Sequence, residues 1–127
     1  KEVPMQVISS TLKAPKATFT AEVADTDAAR RAGLSKRATL PEGRGMFFDI
    51  AGPFWMKDVN FPLDLVHLTK SGEIVDIQTM RQDFMPDRMK RRYWTMDPKA
   101  AYALELPGGW CKRRAVKPGD RVTVLHS

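Results

Sequence analysis

The stretch GMFFDIAGPFWMKDVNFPLDLVHLTKSGEIVDI, residues 45–77, decides how this chain folds. With the two residues that follow, it divides into four short apolar segments, 46–50, 54–57, 63–69 and 74–79. The breaks between them are Gly52-Pro53, Asn60 to Pro62 and Lys70-Ser71-Gly72. Each segment is strand-sized and each break carries turn residues. Lys70-Ser71-Gly72 has the form of a hairpin turn, with Gly72 free to take positive φ. No break leaves room for a crossover helix, so the strands are expected to pair in largely antiparallel fashion.

Upstream, residues 17–23 alternate: Ala17, Phe19, Ala21 and Val23 share one face, and Thr18, Thr20 and Glu22 share the other. A looser alternation over 3–10, with Met5 and Val7 on one face, predicts a first strand. Asp25 and Thr26 offer an N-cap to a short helix over 27–32. Asp27 suits its positive end, Arg30 and Arg31 its negative end, and Gly33 its left-handed C′ position. Downstream, residues 81–98 form a long polar, basic, Met-rich stretch of the kind that is uncommon unless functional or mobile. Alternation returns over 101–106, with Tyr102, Leu104 and Leu106 on one face and Glu105 on the other. Pro107-Gly108-Gly109 leads to one or two helical turns over 110–115, and Lys117-Pro118-Gly119-Asp120 to a closing strand over 121–126. The expected architecture is mostly β, of the α+β class. It is a small antiparallel barrel-like domain with one or two short helices, a single unit over 1–127.

Composition sets bounds on function. At 127 residues the chain has room for one core, and 43% hydrophobic with 28% charged residues is ordinary for a folded domain. No apolar run approaches the roughly 20 residues that cross a bilayer. The single cysteine, Cys111, leaves no internal disulfide. The net charge of +6 is uneven: residues 1–80 carry ten basic and ten acidic side chains, residues 81–127 eleven and five. A balanced core with a basic flank points to an anionic partner, a small molecule or an envelope polymer.

Taken in order, several pieces fit one pattern. They are Phe19-Thr20-Ala21-Glu22-Val23-Ala24, Arg31-Ala32-Gly33-Leu34, Gly45-Met46-Phe47-Phe48, Trp55-Met56-Lys57 and Pro62-Leu63-Asp64. Gly72-Glu73-Ile74-Val75, the run from Tyr102 to Gly109, and Pro118-Gly119-Asp120 follow. Over about residues 17–124 the chain resembles the bacterial and archaeal family called domain of unknown function 192. Trp-Met-Lys followed by Pro-Leu-Asp is the most specific element. The resemblance implies a compact β-rich fold and, for many members, export behind a signal peptide or lipid anchor; it implies no activity. The expected compartment is therefore periplasmic or otherwise exported, with a cytoplasmic one as the alternative. Ser35, Asp58-Val59, Cys111 and the run Lys112 to Arg114 depart from the family's usual residues.

Three constellations could carry chemistry. Trp55, Lys57, Asp64 and Glu105 form a candidate ligand site, with Lys57 on an anion, Trp55 as a stacking wall and Asp64 accepting a hydrogen bond or proton. The same residues also read as packing: Met56 in the core, Lys57 solvated, Asp64 capping amides, and Glu105 in an ion pair with Lys57 or Arg44. Arg88, Lys90, Arg91 and Arg92, with Arg81 and the aromatics Phe84, Tyr93 and Trp94, form a candidate anion site. No nucleic-acid motif accompanies them, so nucleic acid stands level with an anionic envelope polymer or membrane surface, and both rank below a solvated basic loop. Met80, Met85, Met89 and Met96 are either soft Cu(I) ligands or core filler, and the second use is the commoner. His67, His126 and Cys111 have no metal-ligand spacing, and no glycine loop cradles phosphate, so no cofactor and no metal is expected. The lead reading is a non-catalytic binding or interaction domain; the alternative is an enzyme on an anionic or envelope substrate with Lys57 and Asp64 reacting, and a second alternative is nucleic-acid or polyanion binding through 81–95.

Overall fold

The computed structural model describes residues 1–56, 58–81, 94 and 96–125. Seven strands and two short helices follow one another as β1 (Glu2–Ile8), β2 (Pro15–Ala24), α1 (Asp27–Ala32), β3 (Arg44–Phe48), β4 (Leu63–Leu68), β5 (Ile74–Met80), β6 (Tyr102–Pro107), α2 (Trp110–Arg113) and β7 (Arg121–Val124). They form a single sheet of order β5-β4-β6-β3-β2-β1-β7. The fold is mostly β with two short helices, as the spacing of apolar runs implies.

Every strand pair is antiparallel except β2–β3, which is parallel. That exception has a local cause. Residues 25–43 are long enough for a crossover, and α1 lies within them. The helix has the bounds its end signals predict: the Thr26 hydroxyl accepts the Ala29 N–H at 3.1 Å, and Gly33 takes φ +48.

The sheet curls but does not close. Its edge strands β5 and β7 meet at one corner, where Glu73 and Arg121 form an isolated bridge. Around it Ile74 N–H donates to the Asp120 carbonyl and Val122 N–H to the Gly72 carbonyl, both at 2.8 Å.

Curling gives the sheet two covered faces. Inside the curl lie Met5, Phe19, Val66, Leu104, Leu106 and Trp110, with the Phe19 and Trp110 rings edge to face at 5.6 Å. On the outer face α1, residues 50–56 and residues 58–61 cover the middle of the sheet, over Met46, Phe48, Leu63, Leu65 and Ala103. β4 is buried at all six of its positions as a result.

One expected strand, over 54–57, is not formed among the described residues. In 54–57, Phe54 makes an isolated bridge with Trp94, and Trp55 and Met56 are irregular; Lys57 lies outside the described residues. Both flanks of β3 and β4 are already occupied in the sheet, so this segment cannot join the sheet beside them. It lies instead over the outer face and places Phe54, Met56 and Val59 there.

A buried carboxyl beneath the first helix

Glu105 sits at the centre of the outer face. Its Cα partners are Met46 on β3 and Leu65 on β4, both in the outer core. α1 and the segment after it bring Arg30, Arg31 and Leu34 over it, and the 50–59 segment brings Phe54, Trp55 and Val59. Together with Phe48 these residues enclose a cavity of about 380 Å³ with Glu105 in its lining. The walls are aromatic and aliphatic, and Phe48 and Phe54 meet edge to face at 4.9 Å.

The Glu105 side chain is 4% exposed. Among the described residues nothing donates a hydrogen bond or supplies a cation to it, and burial pushes its pKa up to about 8. At neutral pH it is therefore mostly a neutral carboxylic acid, able to donate as well as accept a hydrogen bond. The described cations at the mouth are engaged or solvated. Arg30 binds Asp49 at 2.8 and 2.9 Å and Asp27 at 3.0 Å, and Arg31 is exposed. Arg44, a sequence-expected partner for Glu105, pairs with Glu2.

Of the four residues in the first candidate site, the structure brings Trp55 and Glu105 to one cavity. Asp64 is on the other face, opposite Leu106 of the inner core. Its carboxylate accepts Thr79 Oγ1–H and Gly109 N–H on Oδ1 and Cys111 N–H on Oδ2, each at 3.0 Å. This is amide capping, though the amides belong to the entry of α2 and lie far along the chain. Lys57, Arg88, Lys90, Arg91 and Arg92 lie outside the described residues, as do Met85, Met89 and His126. Met80 is fully buried and Met96 packs on the outer core. His67 accepts the Asp97 N–H on Nδ1 at 3.0 Å and lies 3.1 Å from Gln78 Oε1 through Nε2. Burial, and then the neighbouring Asp64 charge, push the Cys111 thiol up, which leaves it unreactive.

The family model described as Uncharacterized ACR, DUF192, matches residues 9–124. The chain belongs to the DUF192 family. Two solved structures show the same fold as this DUF192 chain. One is from Sinorhizobium meliloti 1021, described as a "putative transcription regulator". It is 27% identical, has a TM-score of 0.84, and the match covers 98% of this chain and 94% of that one. The other, a protein of unknown function from Novosphingobium aromaticivorans DSM 12444, is 24% identical with a TM-score of 0.78; the match covers 96% of this chain and 84% of that one. No curated protein matches the chain.

The cavity was only partly legible in the sequence. Trp55 and Glu105 stand out by residue type. Arg30, Leu34, Phe48 and Val59 carry no such signal, because the fold assembles them from α1, β3 and an irregular loop.

Proposed function

We propose that this DUF192 member is a small-molecule-binding domain, not an enzyme, and that its ligand occupies the cavity between α1 and residues 50–59. The single observation that carries this reading is Glu105, a buried carboxyl without a partner among the described residues, facing aromatic walls. A binding cavity typically combines such apolar walls with a few polar groups that orient the ligand, and about 380 Å³ falls in the usual range. An unpaired carboxyl of this kind costs stability that a purely apolar residue would not.

The enzyme reading with Lys57 and Asp64 as the reacting pair has less support, since both Asp64 oxygens are occupied by three donors on the face away from Glu105. Nucleic-acid binding, which the description of the S. meliloti protein would bring, draws on the basic segment 81–95, most of it outside the described residues. α1 and α2, with six and four residues, are short for reading a groove. No described helix is long and apolar enough to cross a membrane. Export is the compartment we propose, on the family resemblance; fractionation of cells expressing the full-length gene tests it.

The binding reading is tested by NMR with single-ring aromatic fragments. Shifts are expected to cluster on Leu34, Phe48 and Trp55, and Trp55→Ala to weaken binding about tenfold or more, roughly the loss of one good aromatic contact. Shifts scattered over the surface, or unchanged affinity in a folded Trp55→Ala protein, would reject the site.

A further inference from the structure

We propose that the ligand is a compact organic cation, an amine with an aromatic or apolar body, whose ammonium seats on Glu105; this rests on the binding reading above. The geometry separates three ligand classes. An apolar molecule would fill the walls and leave the carboxyl unpaired. An organic anion would bring a second acidic group to a site whose one polar group among the deep residues is itself an acid, and the guanidiniums lie at the mouth. An ammonium supplies what the site lacks among the described residues: donors for the Glu105 carboxylate, and a positive charge facing Phe48, Phe54 and Trp55. Pairing also offsets part of the desolvation cost that keeps the carboxyl protonated.

Such binding exchanges one cation for another. Below about pH 8 Glu105 holds a proton, which must leave as the ammonium arrives. Among the described residues, the other charged or titratable groups near it on the packed elements are held or solvated, Asp58 being exposed, while Lys57 lies outside them. Arg30 is on Asp49 and Asp27, Arg44 on Glu2, and His67 on Gln78 and the Asp97 amide, while Arg31 is in solvent. Glu105 is therefore the group whose proton is displaced. Amine affinity rises with pH up to the Glu105 pKa and then levels. A neutral ligand that leaves the carboxyl protonated shows no such rise over the same range.

Phenethylamine, phenethyl alcohol and phenylacetate share a ring and a short chain and differ in charge. Each is titrated into the full chain at pH 6, 7 and 8, following the amides of Leu34 and Phe48 and the Trp55 indole. Phenethylamine affinity is expected to rise about tenfold between pH 6 and 7, while that of the alcohol stays level. Glu105→Gln is expected to abolish the rise and to cost the amine about tenfold or more at pH 8, with alcohol binding retained. An amine that binds no better than the alcohol at pH 8, or phenylacetate binding tighter than the amine, overturns the cation inference and leaves the cavity a binding site. If none of the three shifts cavity residues, both readings fall. The wild-type comparison of amine with alcohol decides the question alone if Glu105→Gln does not fold.

Discussion

Gly45 sets how near β3 comes to β6, and so fixes where Glu105 stands. A Cβ at Gly45 would lie 2.7 Å from the Glu105 carbonyl oxygen and 2.8 Å from Leu106 Cδ2. One contact is to backbone in the middle of the sheet, so the strand cannot step aside cheaply. Gly45→Ala is expected to cost about 1–3 kcal/mol, the usual range for overpacking a filled core, read as a lower urea midpoint. An unchanged midpoint would mean that β3 and β6 have slack, and that the carboxyl is not rigidly placed. In the sequence Gly45 marks only the start of an apolar run. Its role depends on residues about sixty positions away, and periodicity carries no information about which strand becomes the neighbour. Glu105 shows the same limit. Alternation correctly sets it opposite Leu104 and Leu106, but whether that side meets water depends on α1 and the 50–59 segment lying over it.

Elements were legible where their signals are local. The caps and charges of α1 lie within the helix or next to it, and its bounds follow from them. The segment 54–57 looks as strand-like as its neighbours, yet a strand needs a free edge and none is left beside β3 or β4. Asp64 illustrates a link between elements that no short window reveals. Its position in β4 is evident, but the amides it caps belong to Gly109 and Cys111, which enter α2. A helix of four residues has little stability of its own, so this carboxylate and the buried Trp110 and Cys111 side chains anchor it to the sheet. Asp64→Asn would turn one acceptor into a donor facing an N–H. It is expected to destabilise the domain by about 2–3 kcal/mol, the cost of a lost charge-assisted bond and an unsatisfied amide. Hydrogen exchange should accelerate first at Gly109 and Cys111. Thr79→Val removes one donor and leaves both amides capped, so about 1 kcal/mol is expected; equal losses for the two variants would contradict the anchoring role.

At the scale of the whole molecule, two buried acids give stability opposite dependences on pH. Asp120 is fully buried at the corner where the sheet edges meet. Desolvation raises its pKa, but the Lys16 ammonium at 2.6 Å and the amides of Ser10 and Lys117 outweigh it and hold the carboxyl below its ordinary value of 3.8. Its contribution is present above that value and is lost as pH falls through the lower folded one. Glu105 acts in the other sense. Between its ordinary value of 4.5 and about 8 the folded chain holds a proton that the unfolded chain has released, so stability falls as pH rises through that window and levels beyond it. The slope from this one group is about 1.4 kcal/mol per pH unit, accumulating to on the order of 5 kcal/mol as an upper bound. Maximum stability is expected on the acid side, near pH 4.5, where neither loss is large. Urea denaturation from pH 3 to 9 checks it. Glu105→Gln should flatten the limb above the maximum and leave the acid limb alone, while Asp120→Asn should lower stability at the maximum and flatten the acid limb. A wild-type profile level between pH 5 and 8 would mean that Glu105 is already ionised in the folded chain. The cavity would then hold a fixed negative charge, and amine binding would no longer release a proton.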